Sequence, residues 1–184
     1  LEEKEKELGI EQARLEKVEK DLRSRSNRIN ELESVIAAKD AKMNALKDAI
    51  SKALTNFEGK GLSVEQRDGK VYVSMENKLL FSSGSWAVNS EGRKAVEQLG
   101  DVLAQNPDIA VLIEGHTDNV PYGGTGQLED NGDLSTKRAA EIVQIGRENS
   151  SIDPQSLTAA GRGEQAQIAS NQTQAGTDKN RRME

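Results

Sequence analysis

The chain has no cysteine, which excludes disulfides and thiolate metal sites and fits either a reducing or an oxidising compartment. Its one histidine, His116, has no second imidazole at ligand spacing, so the sequence makes a poor zinc site. It reads instead as a hydrogen-bonded structural histidine. Aromatic residues are 3% and charged residues 30% of the 184, poor material for one core spread over the whole length. A solvated segment beside a smaller globular part fits better. No apolar run approaches the ~20 residues of a membrane span, and no signal peptide is present. The first residue is Leu1 rather than Met, so the chain reads as an internal fragment. Membrane attachment is then expected only through segments outside it. A net charge of −6 argues against a nucleic-acid partner. Gly-x-Ser-x-Gly elbows, phosphate loops and paired carboxylates at catalytic spacing are all missing. A protein that is not an enzyme, with no cofactor and no bound metal, is the expectation.

What is present begins with a seven-residue repeat. Leu1, Leu8, Leu15, Leu22, Ile29, Ile36, Met43, Ile50 and Phe57 mark every a position, in a stretch with no proline and only Gly9 as glycine. The d positions are Lys4, Glu11, Val18, Arg25, Leu32, Lys39, Leu46 and Ala53, half of them charged. A repeat of this length predicts a long coiled-coil helix that joins copies of the chain into a homo-oligomer, with the polar d layers weakening it. The alternative is a solvated single helix held by Glu/Lys pairs. Either way residues 1–58 form a spacer, roughly 85 Å long as a straight helix.

Gly59-Lys60-Gly61 ends that helix, and residues 59–184 form the globular domain. Leu62–Arg67 and Val71–Met75 are strands joined by Asp68-Gly69, a hairpin turn signal. Leu79-Leu80-Phe81 is a short apolar run leading into a Ser-Gly loop. Asn89 or Ser90 caps a helix whose buried stripe is Ala95, Val96, Leu99, Val102 and Leu103. Ile109–Ile113 is an unbroken apolar run and so a strand covered on both faces. The loop 121–130 is Gly-rich and acidic, and reads as the most mobile part of the domain. A second helix runs from about Leu134, a strand covers Leu157–Gly161, and residues 164–177 are polar loop. The order β-β-α-β-α-β gives an α+β fold, a small mixed sheet with helices on one face.

The stretch Val111–Ala139 concentrates the polar residues able to bind something. A strand end delivers His116, Thr117, Asp118 and Asn119; a loop follows; then a helix opens near Leu134. Such a turn gathers side chains and backbone N–H groups around a small polar ligand. Asp118 and Arg138 offer opposite charges, suited to a ligand with both an ammonium and a carboxylate. Residue type alone leaves Asp118 equally readable as an Asx-turn and Arg138 as a surface partner of Glu141. A guanidinium differs from a lysine in gripping a carboxylate with two parallel bonds.

Gly115-His116-Thr117-Asp118, followed by Asn131, Leu134, Ser135, Arg138, Ala139 and Val143 in the pattern N-x2-L-S-x2-R-A-x3-V, resembles the OmpA-like peptidoglycan-binding domain. Phe81, Thr158–Gly161, Ser170-Asn171 and Asn180-Arg181-Arg182 extend the resemblance over roughly residues 59–184. It implies an OmpA-like β-α-β-α-β sandwich in which Asp118 holds the ammonium, and Arg138 the carboxylate, of diaminopimelate in a peptidoglycan stem peptide. It also implies a pocket shaped by Thr117, Asn131 and Leu134, walled by Phe81 and Ser82, and ordered by Arg182. Two positions depart from the family: Gly132 where an aromatic is frequent, and Thr177 where an arginine is. A strand usually follows the Asn-Arg-Arg, so the domain is expected to lack its last element.

The resulting expectation is a periplasmic, wall-associated anchor, its parent attached to the outer membrane, that binds peptidoglycan non-covalently. One alternative is the periplasmic part of a MotB-like flagellar stator. Another is a coiled-coil assembly protein that binds no ligand.

Overall fold

The computed structural model describes all residues except Leu1, Thr125, Gln127 and Ser150, with Asn149 described by its backbone alone. It divides into two units, Leu1–Met43 and Asn44–Glu184.

The first unit is helix throughout its described length, part of α1 (Glu2–Ala53). Its large apolar residues lie in solvent: Leu15 is 56% exposed, Leu22 67% and Ile29 54%. The last part of α1 differs. Leu46 and Ile50 are buried, as are Leu54 and Phe57 just beyond it, with Leu54 at 0% exposure. The final a and d residues of the repeat are therefore core of the second unit. α1 stops at Ala53, ahead of the glycine signal, and the second unit starts further upstream, at Asn44.

Within the second unit a five-stranded sheet runs in the order β1-β2-β5-β3-β4. β1 (Leu62–Arg67) and β2 (Lys70–Glu76) form the expected antiparallel hairpin, with Arg67 opposite Lys70. Asp68 and Gly69 both take positive φ, 51° and 70°, the backbone twist that two-residue hairpins require. β3 (Val111–His116) pairs in parallel with β4 (Leu157–Gly163), so the sheet is mixed. A two-residue strand that no local signal announced lies inside the sheet. β5 (Arg182–Met183) pairs antiparallel with β2 on one side and β3 on the other.

Helices fill the connections. Leu79 and Leu80, the start of the short apolar run, belong to a short helix α2 (Asn77–Leu80). In α3 (Ser90–Ala104), the Asn89 side chain caps the start by accepting from the Gly92 N–H at 2.7 Å. α4 (Asn131–Asn149) begins three residues before the expected position, because the Asp130 carboxylate accepts from the Asp133 N–H. α5 (Gln174–Asn180) is a further helix that starts inside the expected polar loop 164–177 and runs three residues beyond it.

α4 packs on β3 and β4, with α3 beside it. The contact depends on two glycines. A Cβ on Gly115 would overlap the Ser135 carbonyl, and one on Gly161 would overlap Thr136. The pattern of β3 shows that only one face of the sheet is covered there. Leu112 is 52% exposed, so the run expected to be buried on both faces is open on the second.

Candidate functional site

The C-terminal end of β3 fixes the first half of the site. Thr117 is buried; its N–H donates to the Gly163 carbonyl and its hydroxyl to the Asp118 carbonyl, both at 2.9 Å. Its own carbonyl accepts from Gln167 Nε2 at 3.2 Å. Thr117 thus ties the ends of β3 and β4 together, and its polar atoms are engaged in doing so. Asp118 follows at 5% exposure. One carboxylate oxygen accepts the Val120 N–H at 3.2 Å, an Asx-type turn, and the other lies 3.6 Å from Arg181 Nε. The structural and the ligand readings of Asp118 are therefore compatible: the turn uses one oxygen only.

α4 supplies the other half. Asn131, at its first position, donates to the Val120 carbonyl (3.0 Å) and to Glu164 (2.9 Å), fastening the loop that leaves Asp118. Because the helix starts at Asn131, the Leu134 N–H already bonds the Asp130 carbonyl at 3.1 Å. Its side chain is buried. Leu134 therefore serves the core, and its amide is not a free anion-binding group. Arg138, one turn further, is 6% exposed.

The Arg138 guanidinium is held from two directions. Its Nε donates to the Ser85 carbonyl at 2.9 Å, and its charge lies 4.8 Å from the centre of the buried Phe81 ring. Phe81 is thus both core and the floor under this cation. Ser82 is exposed; its backbone carbonyl accepts from the Ser85 N–H, which shapes the loop that offers Ser85. Among the described residues the terminal nitrogens of Arg138 make no hydrogen bond, so the fork is open to a ligand. Burial brings the Arg138 pKa down to about 10, opposed by Tyr122 and Asp118 and assisted by Arg181. The group stays cationic at neutral pH. That Asp118, Arg181 and Tyr122 all act on Arg138 electrostatically places the two opposite charges in one neighbourhood.

The arginine pair near the C-terminus divides. Arg181, not Arg182, approaches Asp118. Arg182 is buried in β5, donates to the Ala166 carbonyl (3.3 Å) and lies 3.5 Å from Glu184. Of the pair, Arg182 thus bonds within the sheet, and Arg181 is the one beside Asp118. Strand alternation sends neighbours to opposite faces, and that signal was available from the Arg-Arg pair once a strand was assigned there. His116 also differs from expectation. It is buried as a structural histidine should be, yet neither ring nitrogen has a hydrogen-bond partner among the described residues. A cavity of about 20 Å³ between the end of α3 and the start of β3, lined by Leu103, Pro107, Val111 and Asp153, has room for one water and lies at the wrong end of β3 for this site.

Two charged side chains, each more than nine-tenths buried, flank a strand-loop-helix turn and keep part of their bonding capacity free. The arrangement can hold a small zwitterion.

Comparison with known proteins places this geometry in context. The chain is 32% identical over 112 residues to motility protein B of Bacillus subtilis, a match covering 61% of this chain and 42% of that relative. The chain therefore spans less than half the length of this relative. Among solved structures, it resembles a putative MotB-like protein from Desulfovibrio vulgaris with a TM-score of 0.71 at 21% identity, over 82% of this chain and 94% of the other. It also resembles the cell wall anchor of the type VI secretion system (T6SS) from Pseudomonas aeruginosa, with a TM-score of 0.66 at 27% identity, over 73% and 92% of the two chains. The pattern that defines the OmpA family matches residues 80–181, more than half of the sequence and the whole turn from β3 to α4, and the chain belongs to that family.

Proposed function

We propose that this domain anchors an envelope protein to the cell wall by binding peptidoglycan non-covalently, and that the element it grips is the diaminopimelate of a stem peptide. The observation that carries the reading is the pair of buried opposite charges, Asp118 and Arg138, on the two sides of one turn. Diaminopimelate offers an ammonium and a carboxylate on one carbon, the complement of that pair. The Arg138 fork, fixed by Ser85 and Phe81, meets the carboxylate with little ordering left to do. Asp118 meets the ammonium with the oxygen that faces Arg181, so the ligand must displace or share that ion pair. Membership of the OmpA family and likeness to a wall anchor support the same reading. No step of it requires catalysis, and we place the domain in the periplasm.

The test is titration of free diaminopimelate and of a diaminopimelate-containing muropeptide into the wild type, Asp118→Ala and Arg138→Ala. Each variant is expected to bind at least about tenfold more weakly, the loss of one charge-assisted contact. Wild-type affinity in both variants would remove the site assignment. The MotB-like stator reading shares this ligand and is favoured by the Bacillus relative; an upstream membrane helix with a buried aspartate in the parent protein would decide for it. The exposed heptad stripe of the first unit favours self-association, which adds avidity for a polymeric wall.

A further inference from the structure

A second cluster lies on the sheet face turned away from α4. Glu114 and His116 sit two apart on β3 and so point to the same face. Glu184 is the residue directly across from Glu114: each donates its N–H to the other's carbonyl at 2.9 Å. Like charges in such a cross-strand pair repel. Between them stands His116, 2% exposed, with Nε2 at 4.0 Å from Glu114 Oε2 and 3.8 Å from Glu184 Oε2. One ligand atom from each residue can be chosen so that all three lie within 4.8 Å of one another. Neither imidazole nitrogen has a hydrogen-bond partner among the described residues. A buried unpaired ring of this kind costs free energy and calls for a partner.

From this geometry we propose that Glu114, His116 and Glu184 bind one divalent transition-metal ion of the Zn²⁺ type. The imidazole supplies a nitrogen lone pair, and each carboxylate one oxygen. A nitrogen-containing set of this kind suits zinc and its neighbours rather than Mg²⁺ or Ca²⁺, which take oxygen shells. With bonds of about 2.0–2.2 Å the two nitrogen–oxygen distances must close by roughly half an ångström, and the two carboxylates must approach each other by rotating their side chains. Three arginines surround the cluster. Arg162 Nε donates to Glu114 Oε1 at 2.9 Å, Arg67 lies 3.7 Å from Glu184 Oε1, and Arg182 lies 3.5 Å from Glu184 Oε2. The first two hold the outer oxygens and leave the inner ones turned to the histidine, as outer-shell partners of metal ligands do. Only Arg182 competes for an inner oxygen, and it must shift when the ion enters. Burial keeps the imidazole neutral at pH 7, the form that binds metal. The sheet also has an irregularity between Gly115 and His116 in its pairing with β4, the kind of distortion that re-aims a side chain.

The chain has no cysteine and no other histidine, which makes the test sharp. Tag-free, chelator-stripped full chain is titrated with Zn²⁺ by calorimetry at pH 7, with Mg²⁺ as control, while nitrogen NMR follows the single imidazole. The expected result is one Zn²⁺ per chain, a shift of the His116 ring signal, no comparable heat with Mg²⁺, and at least tenfold weaker binding in Glu114→Gln and Glu184→Gln. His116→Asn is expected to abolish the site; should that variant not fold, the two glutamine variants and the ring signal decide alone. No saturable Zn²⁺ binding, binding unchanged in both glutamine variants, or equal binding of Mg²⁺ each overturns the proposal. Diaminopimelate binding is read separately, so either site can fail without the other.

Discussion

At the scale of single residues, burial decides what a charge can do. His116 is held neutral, its pKa lowered to about 4, chiefly by loss of water and then by the nearby Arg182, with Glu184 and Glu114 opposing and Arg162 assisting. The unfolded chain protonates the ring near its ordinary 6.5. Between those values the unfolded state binds a proton that the folded state refuses, so stability is full above pH 6.5 and falls as the pH drops towards 4. The expected loss from this one group between pH 7.5 and 5 is about 2 kcal/mol. Urea midpoints measured across that range in a chelating buffer should show a fall in the wild type that is largely absent in His116→Asn. Arg138 shows the opposite outcome. Burial lowers its pKa too, but from so high a starting point that the charge survives. Residue identity alone foretold that difference for arginine; it did not foretell that the histidine would lack a hydrogen-bond partner, because that depends on what faces it across the sheet.

At the scale of elements, the order and type of most segments follow from local signals. The Asp68-Gly69 turn and the Asn89 cap are written in adjacent residues, and the structure has both; of the stripe expected in α3, Ala95 and Val96 are buried while Leu99, Val102 and Leu103 are half-buried. Where the reading slipped, the local signal was either diluted by a neighbouring residue or too short to be seen. α4 starts at Asn131 because Asp130 caps it, although Gly132 in the first turn weakens the helical signal. β5 forms from two residues between two partners, too short for any periodicity to reveal. The candidate site was legible through Asp118 and Arg138, while the approach of Arg181 to Asp118 and the double duty of Phe81 emerge only from packing. The contact of α4 with the sheet gives the prediction at this scale. Gly115→Ala places a methyl into the Ser135 carbonyl, so α4 must move. A loss of about 1–3 kcal/mol is expected from overpacking, read as a lower denaturant midpoint. Gly146→Ala, whose Cβ would meet no described atom within 4 Å, serves as the control, expected to raise the midpoint slightly through helix propensity.

At the scale of the whole molecule, the seven-residue repeat serves two different purposes. Up to Ile36 its apolar residues are exposed, whereas Leu46 and Ile50 are core. A fragment starting at Asn44 should therefore keep the cooperative melting of the domain. One starting at Gly59 loses Leu46, Ile50, Leu54 and Phe57 and should melt far lower or fail to fold, since a single buried leucine is worth about 2–5 kcal/mol. Sedimentation adds the second half of the prediction. The full chain is expected to associate with rising concentration, and the fragment from Asn44 to remain monomeric. Equal behaviour of the two would leave the exposed stripe without a partner of its own kind.

The position of β5 carries a consequence for how the protein is made. The hairpin β1-β2 and the β3-α4-β4 unit can each form as soon as they leave the ribosome, yet no described strand links them until Arg182 and Met183 arrive. Through most of synthesis the nascent domain is two half-sheets with bare inner edges, one on β2 and one on β3, open to pairing with the wrong neighbour. A nonsense mutation or proteolytic clip just upstream of Arg182 would hold the product in that state, with α1–α5 and β1–β4 already translated.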